Sequence, residues 1–111
     1  MDGVVLVMDY SAYERQRIRQ IIDKIGHLNV VEVGDISQFL LMNSNIEGLK
    51  LVVLDLSFPT ENDGFFVLKR IRTSSNVNVP IIVLSQSDRQ ELKVEALKYS
   101  VNDYIVKPYS I

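Results

Sequence analysis

Short apolar runs alternate along this chain with amphipathic stretches, and several of the runs stop abruptly at a polar residue. Val4-Val5-Leu6-Val7-Met8 ends at Asp9, Leu51-Val52-Val53-Leu54 at Asp55, and Ile81-Ile82-Val83-Leu84 at Ser85. Continuous apolar runs of this length predict strands buried on both faces, as in a parallel sheet. Val30-Val31-Glu32-Val33 alternates enough to lie at a sheet edge, and a fifth strand is expected near Asp103 to Val106, ending in Lys107-Pro108. Between the strands the period changes. Ile18, Ile21, Ile22 and Ile25 form one helical stripe behind Ser11-Ala12-Tyr13-Glu14, a capping box in which Glu14 reaches back, with Gly26 as the stop. Asp35 with Gln38 predicts a second helix carrying Phe39, Leu40 and Leu41 and ending around Asn43-Ser44-Asn45. A loop from Leu56 to Gly64 leads to a third helix, Phe65 to Arg72, with Leu68 and Ile71 inward. Pro80 opens the fourth strand, and Ser87-Asp88-Arg89-Gln90 resembles a capping box before a helix with Leu92, Ala96 and Leu97. Strands alternating with single helices require right-handed crossovers, hence an α/β fold with a five-stranded parallel sheet.

Composition narrows the class without changing the fold. The 111 residues suffice for one domain with one core. Twelve basic against fourteen acidic residues leave −2, so no global field draws the chain to nucleic acid or to an anionic membrane. There is no cysteine, which excludes disulfides and thiolate metal sites. Met1-Asp2-Gly3 leads straight into a strand with no basic region before it, and no apolar run approaches membrane-spanning length. A cytoplasmic, globular domain is expected, with no repeat, linker or low-complexity segment.

In open parallel sheets the working crevice lies beyond the carboxyl ends of the strands. Asp9, Asp55 and Ser85 therefore fall at one edge, and two carboxylates with a hydroxyl there suggest a site that binds a divalent metal and handles phosphate.

Taken together, these residues resemble the receiver domain of bacterial two-component response regulators. The resemblance rests on Asp9, Asp55, Pro59 four positions on, Asp63-Gly64, Ser85, and the run from Glu95 through Asp103-Tyr104-Ile105-Val106-Lys107-Pro108-Tyr109. It spans residues 1–111 as one receiver domain and implies a flavodoxin-like, doubly wound sheet of order 2-1-3-4-5. By that resemblance Asp55 is the phosphoacceptor. Asp9, Asp55 and the backbone carbonyl of Ser57 are the Mg²⁺ ligands, Lys107 pairs with phosphate, and Ser85 and Tyr104 form the switch. It also implies a cis Lys107–Pro108 bond. The implied donor is a sensor histidine kinase or a histidine phosphotransfer protein, and an output domain C-terminal to the chain or a homodimer is a further possible partner. The chemistry asks for these types. Acyl phosphate formation needs a carboxylate nucleophile, phosphoryl transfer is catalysed by positioning and charge neutralisation, and Mg²⁺ takes carboxylate and carbonyl oxygens.

Departures from the family pattern set further expectations. Met8 stands where the family has the first of two adjacent acids, which weakens the metal site. The loop from Pro59 to Asp63 is one residue longer than usual and carries Glu61, a candidate replacement charge. Ser100-Val101 replaces a glycine-alanine pair, and Gln86 follows Ser85 where a small residue is common. The chain stops where the family's fifth helix begins. A truncation, or cover by a second subunit, is therefore expected, with apolar residues of the first, fourth and fifth strands otherwise open to water.

Plainer readings exist for each residue. For Asp55 it is a turn cap, for Lys107 the close of a strand, and for Tyr104, an aromatic in a strand, a place in the core. His27 reads as surface. Arg15, Arg17 and Arg19 read as a solvated helix face. Among functions, a pseudo-receiver that binds partners without phosphorylation is the alternative, supported by Met8 and opposed by Asp9, Asp55, Ser85 and Lys107 together. A dehalogenase-type phosphatase wants an acid where Ser57 stands. A flavin module wants a phosphate-cradling loop, and Asp9-Tyr10-Ser11 is acidic and glycine-free.

Overall fold

In the computed structural model, which describes residues 3–42, 46–74 and 78–108, strand and helix alternate throughout. The elements are β1 (Gly3–Met8), α1 (Ala12–Ile25), β2 (Leu28–Val33), α2 (Ile36–Leu41), β3 (Leu49–Asp55), α3 (Glu61–Arg72), β4 (Ile81–Ser85), α4 (Gln90–Leu97) and β5 (Asp103–Val106). Every pairing is parallel, as the alternation required, and the sheet order is β2-β1-β3-β4-β5, as the resemblance implied. No helix among the described residues is long and apolar enough to cross a membrane.

The two faces of the sheet bury separate clusters. Leu6, Met8, Val52, Leu54, Ile81 and Val83 meet Val67, Leu68 and Ile71 of α3 and Leu92 and Ala96 of α4. On the other face Val5, Val7, Val53 and Leu84 meet Ile18 and Ile22 of α1. This corrects the expectation of open strands for Val5 and Val7 of the first strand and for Leu84 of the fourth. Val5 and Val7 are wholly buried and Leu84 is 4% exposed, in one cluster with the two isoleucines of α1. On the same face Ile82 and Ile105 are half-buried.

Several local expectations also change. Ile25, placed in the apolar stripe, is 74% exposed at the last position of α1. Ser11 caps α1 by accepting the Glu14 N–H, but the reciprocal half of that capping box is missing. Glu14 Oε1 stands 3.9 Å from Arg17 Nη1, and Oε2 is buried without a hydrogen-bond partner. α2 ends at Leu41, with Leu40 and Leu41 exposed, and residues 43–45 lie outside the described residues. α3 begins at Glu61, four residues before Phe65. Thr60 and Asp63 form a reciprocal capping box that pulls this segment into the helix. α4 has no side-chain cap. Ser87 Oγ instead accepts the Arg89 N–H, an ST-type turn that delays helix entry to Gln90.

The segment between β3 and α3 is not a surface loop. Leu56 and Phe58 are wholly buried in the larger cluster. Gly64 makes this possible, since a Cβ there would lie 1.9 Å from the Leu56 carbonyl oxygen. Only glycine lets α3 approach the backbone that follows Asp55 so closely. Both Phe58–Pro59 and Lys107–Pro108 are cis, the second as the resemblance implied.

Candidate functional site

β1, β3 and β5 each deliver one charged side chain to the carboxyl edge of the sheet. Asp9 follows β1, Asp55 closes β3, and Lys107 follows β5. Lys107 Nζ donates to Asp9 Oδ2 at 3.0 Å and to Asp55 Oδ2 at 2.9 Å. All three side chains are nearly buried, at 2%, 10% and 9% exposed for Asp9, Asp55 and Lys107. The remaining carboxylate oxygens are held by backbone. The Ser11 N–H donates to Asp9 Oδ1 and the Ser57 N–H to Asp55 Oδ1, each at 2.9 Å. These are Asx turns, which fix the rotamer of each acid.

Two carboxylates share one ammonium, and the electrostatics show it. Burial raises the Asp55 carboxyl above the usual aspartate value, and the charge of Asp9 adds to the rise. The hydrogen bond from Lys107 works the other way and is outweighed. Burial also acts to lower the Lys107 ammonium, but the hydrogen bonds and charges of Asp55 and Asp9 prevail, so its pKa stands above the ordinary lysine value. An excess negative charge in a shielded site, presented by hard oxygen donors, fits a cation such as Mg²⁺. Asp9, Asp55 and the Ser57 carbonyl would hold it. Among the described residues no group of three acids converges, so Glu61, now in the first turn of α3, does not join Asp9 and Asp55. Met8, directly before Asp9, presents no charge to the site. It is buried in the larger apolar cluster.

Ser85 and Tyr104 stand beside the charged cluster. Ser85 is buried, and its Oγ accepts the Ser87 N–H at 3.0 Å. Tyr104, half-buried in β5, donates its hydroxyl to the Ser87 carbonyl at 2.9 Å, with Lys93 Nζ 5.9 Å from its ring centre. Ser87 thus links the two, a connection that no spacing in the sequence signals. Gln86 is exposed, and with Glu14, Arg17, Lys107 and Pro108 it lines a cavity of about 340 Å³ at the edge of the site.

Arg15 and Arg19, read as a solvated face, are engaged. Arg15 Nε donates to Glu32 Oε1 at 3.2 Å and Arg19 Nε to Glu32 Oε2 at 2.7 Å. Arg15 Nη1 also reaches the Asp9 carbonyl at 2.8 Å. His27 is exposed, as expected.

The profile of the response regulator receiver domain family matches residues 5–111. A chemotaxis protein CheY homolog of Campylobacter jejuni is 31% identical over 108 residues, covering 96% of this chain and 82% of that protein. The transcriptional regulatory protein PhoP of Escherichia coli is 33% identical over 108 residues, covering 96% of this chain but only 46% of PhoP. Among solved structures, a signal receiver domain of two-component signal transduction (histidine kinase) from Clostridium thermocellum superposes with a TM-score of 0.93. It is 38% identical, with 99% of this chain and 89% of that one covered.

Proposed function

Because this chain belongs to the response regulator receiver domain family, we propose that it accepts a phosphoryl group on Asp55 and passes the change to a partner or output surface. The single observation that carries this reading is the Lys107 ammonium held between Asp9 and Asp55 at 3.0 and 2.9 Å. A structural ion pair needs one acid for one base, whereas a phosphoryl group arriving on Asp55 needs both a cation for its oxygens and a second acid to hold a metal.

The Asp55 carboxylate oxygen attacks phosphorus, an O–P bond forms, and the bond from phosphorus to the donor's imidazole nitrogen breaks with its electron pair leaving on that nitrogen. Lys107 neutralises the equatorial oxygens. The Ser57 N–H holds Asp55 Oδ1 and leaves the other oxygen to react. Asp9, Asp55 and the Ser57 carbonyl would hold Mg²⁺, which would supply further charge neutralisation. Apart from forming and losing its own acyl phosphate, the chain catalyses nothing. The donor is a sensor histidine kinase or a histidine phosphotransfer protein, in the cytoplasm. Ser85 then donates a hydrogen bond from its hydroxyl to a phosphoryl oxygen, Ser87 moves with it, and Tyr104 reports the change on the α4–β5 face. More than half of PhoP lies outside the match, and by analogy the partner is an output domain C-terminal to this domain. A homodimer is the other form of partner, and no direct contact with nucleic acid is assigned to this domain.

Intact-mass analysis after incubation with acetyl phosphate and Mg²⁺ tests the reading. One phosphoryl group should appear, and none in Asp55→Asn. Absence of an adduct at high magnesium would leave the pseudo-receiver, a fold kept for protein contacts alone.

A further inference from the structure

From the way each polar group of Asp9 is held, we infer that Arg15 is a positioning residue for the metal site, an inference that rests on the proposed role of Asp9. The Asp9 backbone N–H donates to the Val33 carbonyl at 3.2 Å, its Oδ1 takes the Ser11 N–H and its Oδ2 takes Lys107 Nζ. The backbone carbonyl is held by Arg15 Nη1 at 2.8 Å, and the same nitrogen stands 3.4 Å from the Tyr10 carbonyl. A metal ion at Asp9 competes for the two carboxylate oxygens and exchanges their bonds. Of the side chains bonded to Asp9, Arg15 alone grips it through an atom the metal leaves untouched. With Met8 in the apolar core, Asp9 is the one acid of this turn, so its placement decides the geometry.

The guanidinium sits in a built cradle. Glu32 fixes it by an ion pair at 3.2 Å and is itself fixed by Arg19 at 2.7 Å. The hydrogen bonds from Arg19 and Arg15 leave the Glu32 carboxyl below its ordinary value, with burial opposing them. Below the guanidinium lies Gly34, where a Cβ would stand 2.9 Å from Arg15 Nη1. Gly34 therefore leaves room for the arginine rather than for a turn. Arg19 makes the matching control. It shares Glu32 but reaches the Val30 carbonyl, not the Asp9 turn.

Gly34→Ala is the sharpest test, since it keeps every charge and pushes only the far end of Arg15. Mg²⁺ is titrated into the full chain with the Ser11 and Ser57 amides followed by NMR, and melting is measured in EDTA. Gly34→Ala and Arg15→Met should each weaken Mg²⁺ binding roughly tenfold, the low end for loss of a group that orients a ligand. Both should move the Ser11 amide without metal. Arg15→Lys, which can reach one carbonyl but not fork to Glu32, should fall between. Arg19→Met should lower the melting temperature and weaken Mg²⁺ binding far less than Arg15→Met, since Glu32 keeps its bond to Arg15 and the Asp9 carbonyl keeps its donor. Removing the Arg15 charge by itself favours a cation and so acts in the opposite direction to the loss expected. Unchanged affinity in Gly34→Ala and Arg15→Met, or an equal loss in Arg19→Met, overturns the inference. If the unaltered chain binds no Mg²⁺, the reading of the site fails. The metal-free Ser11 amide then decides the positioning role, supporting it by moving and refuting it by staying.

Discussion

The Lys107 backbone N–H donates to the Ser85 carbonyl at 2.7 Å, continuing the β4–β5 ladder one step beyond its last strand pair, Ser85 with Val106. The lysine is thus anchored by its backbone on the hydroxyl residue's own carbonyl before its side chain crosses to Asp9 and Asp55. Its pKa is raised in the folded chain, so its contribution to stability is complete below the unfolded value near 10.5 and is lost as pH rises through the folded value. Thermal melts from pH 8 upward should show an alkaline decline that is absent in Lys107→Met. At neutral pH that variant should lose about 3–5 kcal/mol, the usual consequence of leaving buried charge unpaired.

Asp55 behaves in the opposite sense to a salt-bridged acid. Its folded pKa is raised above 3.8, so ionising it costs stability as pH rises from 3.8 through the folded value, and the cost persists at neutral pH. Asp55→Asn is therefore expected to melt higher than the unaltered chain at pH 7 without metal. The gap should close at the acid end of the titration, and calorimetry across pH checks both.

Met8→Asp would place a carboxylate where the side chain is now buried among Leu6, Leu54 and Val33. Without a cation this buries an unpaired charge, and a loss of several kcal/mol is expected. Mg²⁺ should restore much of it, because ligand that binds only the folded state stabilises that state. The expected outcome is a lower melting temperature in EDTA and a larger magnesium-induced rise than in the unaltered chain.

Gly64→Ala tests the close approach behind the phosphoacceptor. The added Cβ meets Leu56 backbone, not a movable side chain, so overpacking of about 1–3 kcal/mol or more is expected. The Ser57 N–H bond to Asp55 should loosen with it, seen as faster exchange of the Ser57 amide.

The order of elements and the charged residues were legible in the sequence for a common reason. Continuous apolar runs ending at Asp9, Asp55 and Ser85 can satisfy their backbone only in a covered parallel sheet, and that sheet gathers its strand ends. The cradle of Arg15 was harder to see. Alternation of Arg15, Arg17 and Arg19 suggested a scattered face, yet Arg15 and Arg19 are four apart and share a side of the helix. That spacing was a usable signal, while the partner, Glu32, is known only once β2 lies beside β1. Leu56 and Phe58 lie in the connection the sequence predicts, but their burial is not legible there, because Gly64, the residue that permits it, acts through tertiary contact alone. The exposed Ile25 shows the converse, a periodic apolar position carried past the surface it was assumed to cover.

The charged groups hang from strands of unequal permanence. β1 and β3 lie inside the sheet, with Val5, Val52 and Leu54 wholly buried, whereas β5 is a four-residue edge strand with no fully buried side chain. Backbone opening begins at such edges and reaches central strands only with global unfolding. Each brief detachment of β5 then withdraws the ammonium while both carboxylates remain fixed, so the lifetime of the charge pairing follows the breathing of the sheet's weakest margin.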